Sequence, residues 1–286
     1  MKIIYLLQCH KSFEQIKLLL ESLELSREDF VIIHVDAKNI NLRHRISSYY
    51  FDSDNVFVVN DPVVVNWSGF SQIKATLKMI GYVYRKKINF DYCCLLSGED
   101  IVLDVFRFKK YLSLSGQKSF LEFRDDRERY TWRINRFNLF RDNRFSRKYL
   151  LRLISFLLIK IQLKGNIRRS NFIDDDIFLG SQWFVFSKRH LDLIYNLVDD
   201  NYINKFRYTS CCDEHFFQMF FKKFVHQEEY ETYNLRYAHF PTGKNSPKYL
   251  TLLDLKNIKG KDKVFIARKV SYDVLYDYMK NKGSGG

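Results

Sequence analysis

The sequence predicts an α/β fold, a mostly parallel central sheet flanked by helices. Three observations carry this reading. Short apolar runs without alternation recur at residues 3–7, 30–35, 56–59 and 92–96, as strands buried on both faces do. Segments with apolar residues at helical spacing separate them, as parallel connections require. Polar residues follow the runs: Gln8, His10, Asp36, Glu99 and Asp100. They fall at the carboxyl ends of the strands, where such sheets bind ligands.

The elements follow in order. After the first strand, Ser12 is placed to cap a helix with Ile16, Leu19, Leu20 and Leu23 on one face. Residues 69–84 read as a second helix, with Ile73, Leu77, Ile80 and Val83 aligned. Residues 119–123 and 180–187 read as further strands, and residues 191–197 as helical. The stretch 124–147 is rich in arginine and aromatic residues and has no clear period. Residues 149–164 are strongly apolar, interrupted by Arg152 and Lys160 and flanked by Arg144, Arg147, Lys148, Arg168 and Arg169. That run is too short to span a bilayer. It suits either a helix lying on an anionic membrane surface or one buried against this chain or a partner subunit. Short elements at 250–255 and 264–267 precede a last helix, 272–279. The expected organisation is one domain over residues 1–282 with a basic, apolar helical insertion near 144–170. The terminal Gly-Ser-Gly-Gly, 283–286, reads as linker or tag.

Composition bounds the function. With 46% hydrophobic residues in 286, burial alone can build a substantial core. A net charge of +14 calls for an anionic partner: nucleic acid, anionic lipid or a phosphorylated substrate. The cysteines Cys9, Cys93, Cys94, Cys211 and Cys212 form no C-x-x-C and no even framework, so neither zinc nor disulfides are indicated. A reducing cytosol fits, and the first apolar run is too short for a signal peptide. No G-x-G-x-x-G, P-loop, G-x-S-x-G or H-E-x-x-H is present, which disfavours those cradles and nucleophiles.

Two adjacent acids, Asp213 and Glu214, open the amphipathic segment 216–224. Such acids either satisfy the free N–H groups of a first helical turn or supply a general base beside aromatic residues. D-x-D spacings occur at Asp52/Asp54 and Asp174/Asp176, and both read as solvated or turn acids. Without a metal, cations must neutralise a diphosphate. The C-terminal part offers Lys244, Lys248, Arg268 and Lys269.

An ordered set of segments is similar to glycosyltransferase family 14, which holds the core-2 and I-branching N-acetylglucosaminyltransferases, the peptide O-xylosyltransferases and bacterial relatives. The segments are residues 2–11 (KIIYLLQCHK), 33–38 (IHVDAK), 65–77 (VNWSGFSQIKATL), 92–100 (YCCLLSGED), 180–187 (GSQWFVFS), 213–217 (DEHFF), 246–255 (SPKYLTLLDL) and 266–269 (IARK). Residues 124–179 lie outside the match, and the look is closest to bacterial members. The resemblance implies a GT-A fold and inverting transfer from a nucleotide sugar, a UDP-sugar carrying GlcNAc or xylose, with no cofactor and no required metal. It implies Glu214 as catalytic base, Lys269, Lys248 and Arg268 as diphosphate-binding residues, and His10, Asp36, Trp67, Glu99 and Asp100 on the donor side. In this picture Trp67 packs under the donor site and Asp36 lies near the uracil. Glu122, Arg129, Trp183 and Asp213 fall on the acceptor side. Where the family often reads SGQD or CGMD, this chain has Ser97-Gly98-Glu99-Asp100, a change at the sugar pocket.

The expected setting is surface polysaccharide or lipopolysaccharide assembly, peripheral at the cytoplasmic face of the cell membrane. Two alternatives stand beside it. One is a metal-dependent transferase using Asp174 or Asp176. The other is a basic nucleic-acid-binding protein, prompted by the charge and by residues 124–147, for which no nucleic-acid-binding signature is present.

Overall fold

The computed structural model of the chain describes residues 1–169, 172, 177–244 and 246–283. Asp174 and Asp176 of the metal-dependent alternative lie outside the described residues, as do residues 284–286 of the terminal linker.

The strands are β1 (Ile3–Cys9), β2 (Phe30–Val35), β3 (Val56–Val58), β4 (Tyr92–Ser97), β5 (Asp100–Val102), β6 (Ser119–Leu121), β7 (Phe184–Ser187), β8 (Tyr230–Glu231), β9 (Arg236–Ala238) and β10 (Ile266–Arg268). The helices are α1 (Phe13–Ser22), α2 (Ile40–Tyr49), α3 (Ser71–Arg85), α4 (Val105–Ser113), α5 (Trp132–Asn135), α6 (Tyr149–Lys164), α7 (Lys188–Leu197), α8 (Asp200–Asn204), α9 (Phe216–Phe224), α10 (Leu252–Ile258) and α11 (Tyr272–Gly283).

The large sheet has the order β3-β2-β1-β4-β7-β6-β8. The first four strands are mutually parallel, as their uninterrupted apolar runs require. Alternate residues serve opposite layers. Tyr5 and Leu7 of β1 pack with α1, α2, α10 and α11, while Ile4 and Leu6 pack with α3, α7 and α9. Each fully buried aliphatic side chain contributes about 1.5–3 kcal/mol, so this three-layer arrangement fixes the register of β1 and β4. Ser12 caps α1 as expected, accepting the Gln15 N–H at 3.2 Å.

The second half of the sheet is mixed. β7 runs antiparallel to β4 and to β6. The chain enters β7 from the segment on the ligand side, so Phe184 starts near the end of β4 and runs back along it. A separate three-stranded sheet, β5-β10-β9, sets Asp100 opposite Arg268, and Arg236 beside Ile266.

α6 occupies residues 149–164 as expected, and Gln162 is its one buried residue. Tyr149, Leu150, Leu153, Phe156, Leu157, Ile161 and Leu163 are exposed, while Leu151, Ile154, Leu158 and Ile159 are half-buried, so the helix rests one side on the chain and leaves the other outward. No helix among the described residues is long and apolar enough to cross a membrane. The described cysteines are all free.

Candidate active site

The acids Asp213 and Glu214 do not cap α9. They sit in a 3₁₀ turn, Cys212–Glu214, that precedes it, and no side chain caps the helix. This removes the helix-capping reading. The turn is held against two other segments. Cys211, in a left-handed conformation with φ 50°, donates its N–H to the Ser68 carbonyl at 2.9 Å. The Gly180 N–H donates to the Glu214 carbonyl at 2.8 Å. A Cβ at Gly180 would meet the Glu122 carbonyl oxygen at 1.7 Å, so only glycine lets the three backbones approach. Gln218 of α9 reinforces the junction by donating to the carbonyls of Glu122 (3.2 Å) and Ser181 (2.8 Å).

Glu214 is partly exposed, and its Oε2 accepts from the Arg133 guanidinium at 2.6 Å. Arg133 in turn leans over the Tyr130 ring, 4.2 Å from its centroid. Asp213 is buried and takes one bond, from Gln72 Nε2 at 3.1 Å, leaving Oδ1 without a partner. Burial, with the Glu214 charge adding to it, pushes the Asp213 carboxyl up to about 7. An amide chain ties this acid to the end of β1: Gln72 donates to Gln182 (3.5 Å), and Gln182 to Gln8 (3.0 Å). Burial also raises the Glu122 carboxyl, with the Glu214 charge acting in the same direction against Arg124 and Arg236. Asn234 donates to Glu122 at 3.2 Å.

From Glu122 the network continues to the carboxyl edge of the sheet. Arg236 and Arg268 both reach Asp100, at 3.5 and 3.0 Å. The Trp183 ring takes the same two guanidiniums at 4.6 and 4.4 Å from its centroid. One residue earlier, Glu99 pairs with Lys269 and with Lys11, each at 3.4 Å, and accepts the Tyr249 hydroxyl. Burial opposes its ionisation, but Tyr249, Lys269, Lys11 and Arg268 outweigh it and hold the carboxyl at about 2. The result is a run of contacts from the acids Asp213, Glu214 and Glu122 to the cations gathered around Glu99 and Asp100. Among the described residues, no group of three or more His, Cys, Asp or Glu side chains could hold a metal ion.

A family model described as Core-2/I-Branching enzyme matches residues 3–259. The chain belongs to this family. No curated protein matches it. The enzyme is therefore a glycosyltransferase with a GT-A-like fold, which takes a nucleotide-sugar donor and a glycan acceptor.

Set on this enzyme, the expected residues divide. The structure brings Glu214, Asp213 and Glu122 together, and sets Lys269 beside Glu99. His10 lies at the end of β1, within electrostatic reach of Glu99 and Asp36. The other expected residues sit as follows. Asp100 has no exposed surface and holds Arg268 and Arg236. Asp36 is buried, and its Oδ1 accepts the N–H groups of Lys38 (3.0 Å) and Val65 (3.2 Å), while its Oδ2 pairs with Lys38 Nζ at 3.2 Å. It therefore organises its own loop. Trp67 is 53% exposed, with the Arg147 guanidinium 5.8 Å from its ring, and it precedes the Ser68 whose carbonyl holds the Glu214 turn. Lys248 pairs with Asp254 at 3.2 Å, the carboxylate of the capping box that starts α10. Trp183 faces the Arg236 and Arg268 guanidiniums, and Arg236 in turn lies within electrostatic reach of Glu122. Arg129 is exposed, 5.7 Å from the Tyr130 ring. Asp52 and Asp54 precede β3, at the end of the strands opposite to their carboxyl ends.

Arg133, Arg236, Lys11 and Tyr249 were missed. A signal existed for Lys11, a cation directly after the first strand and next to His10. Nothing in the sequence marks Arg133 among its neighbouring arginines.

Proposed function

We propose that the enzyme is an inverting, metal-independent glycosyltransferase, which moves GlcNAc or a xylose-like sugar from a UDP-sugar to a hydroxyl of a glycan acceptor. One observation supports this reading: Arg133 orients the Glu214 carboxylate, while Lys11, Lys269 and Arg268 gather around Glu99 and Asp100 just past the carboxyl end of β4. The acceptor hydroxyl gives its proton to Glu214. Its oxygen bonds to the anomeric carbon from the face opposite the nucleotide, as the bond from that carbon to the diphosphate breaks. The electron pair leaves on UDP, and the configuration inverts. A positioned general base contributes about 10²–10⁴-fold to such a step. Lys269 and Lys11 take up the charge on the departing diphosphate, exchanging their bonds to Glu99 for bonds to phosphate oxygens. Arg133 holds one oxygen of Glu214 and leaves the other for the proton.

The acceptor belongs to surface polysaccharide or lipopolysaccharide assembly on the cytoplasmic side of a membrane, and residues 1–282 act as one unit. The net charge and the outward apolar helix support that setting.

A thermal-shift panel of nucleotide sugars tests the donor. A ligand at 100 times its Kd stabilises the folded state by about 2.7 kcal/mol. A shift with UDP and UDP-sugars is expected, and a shift confined to other nucleotides would contradict the reading. Transfer that persists in excess chelator is expected, and its loss would favour a metal held by the Asp174–Asp176 run.

A further inference from the structure

α6 presents its apolar side outward. Leu150, Leu153, Leu157 and Ile161 recur at i, i+3, i+7 and i+11, which places them on one stripe. They are between 40% and 65% exposed. The side chain that α6 does bury is polar: Gln162 accepts the Phe137 N–H at 2.8 Å and donates to the Phe137 carbonyl at 3.1 Å. Just beyond the helix, the Ile167 carbonyl accepts from Arg136 at 2.6 Å, and Arg169 donates to the Ile134 carbonyl at 3.0 Å and the Thr209 hydroxyl at 3.1 Å. The body therefore grips α6 through polar clamps near its C-terminal end and leaves the apolar stripe to something else.

Charge says what that is. From residue 143 to residue 173 the sequence holds no acid. Arg144, Arg147 and Lys148 stand before the helix, and Lys160, Lys164 and Arg168 at its far end, all exposed. Lys160 lies over the Phe156 ring at 5.4 Å, its apolar stem beside the ring and its ammonium free to reach upward to headgroups.

We propose that this face of α6 docks onto an anionic lipid surface, with the leucine stripe lowered into the boundary between headgroups and acyl chains and the flanking cations on the phosphates. A second copy of the chain fits poorly. A two-fold contact puts the same patch on both sides, and here it would set cations against cations with no acid inside the segment 143–173 to pair them. The docked helix also has a consequence for the site. The Gln162 and Arg169 clamps join it to the segment 134–137, directly after the Arg133 that pairs with Glu214, so docking fixes how the Glu214 carboxylate is oriented to the membrane. The proposal does not depend on which sugar the enzyme transfers.

Flotation of the full chain with vesicles tests it. Binding is expected to vesicles of phosphatidylcholine containing phosphatidylglycerol, with strong loss on pure phosphatidylcholine and in high salt. The double substitution Leu153→Glu/Leu157→Glu should lower partitioning by roughly tenfold or more, with circular dichroism, melting temperature and the UDP-induced thermal shift unchanged. Absence of flotation on anionic vesicles would overturn the proposal. So would equal flotation on neutral vesicles, or undiminished binding by the double variant. A dimer in light scattering that the same substitution abolishes, without flotation, would assign the face to self-association instead.

Discussion

The Arg133 guanidinium lies 2.6 Å from Glu214 Oε2, across 81 positions of sequence. The pairing holds the carboxylate in one orientation. Arg133 touches no reacting atom in the proposed step, so it is a positioning residue. Arg133→Ala should lower kcat by up to about 10²-fold, the scale of a misplaced catalytic group. UDP affinity should be unchanged, and Arg133→Lys should recover part of the loss. Steady-state kinetics with separate kcat and KM check this, and an unchanged kcat in the alanine variant would remove the role.

Glu99 occupies the cations that the diphosphate needs. Glu99→Gln frees Lys269 and Lys11 from a competing charge, so UDP should bind about tenfold tighter, roughly 1.4 kcal/mol. The Glu99 carboxyl is held at about 2 against an ordinary 4.5. Its ion pairs are therefore complete above 4.5 and lost as pH falls toward 2, and the two proteins should converge in that acid range. Titration calorimetry reads both effects. Weaker UDP binding by the glutamine variant would mean that Glu99 contacts the donor directly.

Asp100 is buried between two guanidiniums. Removing its charge leaves Arg236 buried and unpaired, which costs about 3–5 kcal/mol. Asp100→Asn should lower the denaturation midpoint by a corresponding amount. A change of less than about 1 kcal/mol, within the range of an exposed pair, would show that the network is not structural.

Asp213 gives a stability signature of opposite sign. Burial raises its carboxyl from 3.8 to about 7. Its neutral form suits the folded state, so its contribution is complete below 3.8 and is lost as pH rises through about 7. Relative to wild type, Asp213→Asn should therefore gain stability across that window. Melting temperatures of the two proteins at pH 4 and pH 8 check it, and a constant difference would contradict the assignment.

How much of this was legible follows from what each signal encodes. Strands β1, β2 and β4 could be read because burial on both faces leaves an unbroken apolar run. The bounds of α6 and α9 could be read because their apolar spacing is strong. α2, with the sequence INLRHRISSY, buries only Leu42 and Ile46, too few to show a period. Acids at strand ends were legible as positions but not as partners. Asp36 and Asp100 look alike in sequence, yet one fixes a loop and the other holds two arginines. The pairing of Lys248 with Asp254, six positions on, is likewise set by folding. Arg133 reaches Glu214 only through tertiary folding, and no local pattern encodes that.

The most direct test is single-turnover transfer by Glu214→Gln with saturating UDP-sugar and acceptor. The substitution keeps size and can still meet Arg133 through its carbonyl oxygen, but it cannot take the proton. The expected result is an unchanged melting temperature and UDP affinity with transfer slowed by about 10²–10⁴-fold or more. Transfer within a few-fold of wild type would contradict the assignment of Glu214 as the base.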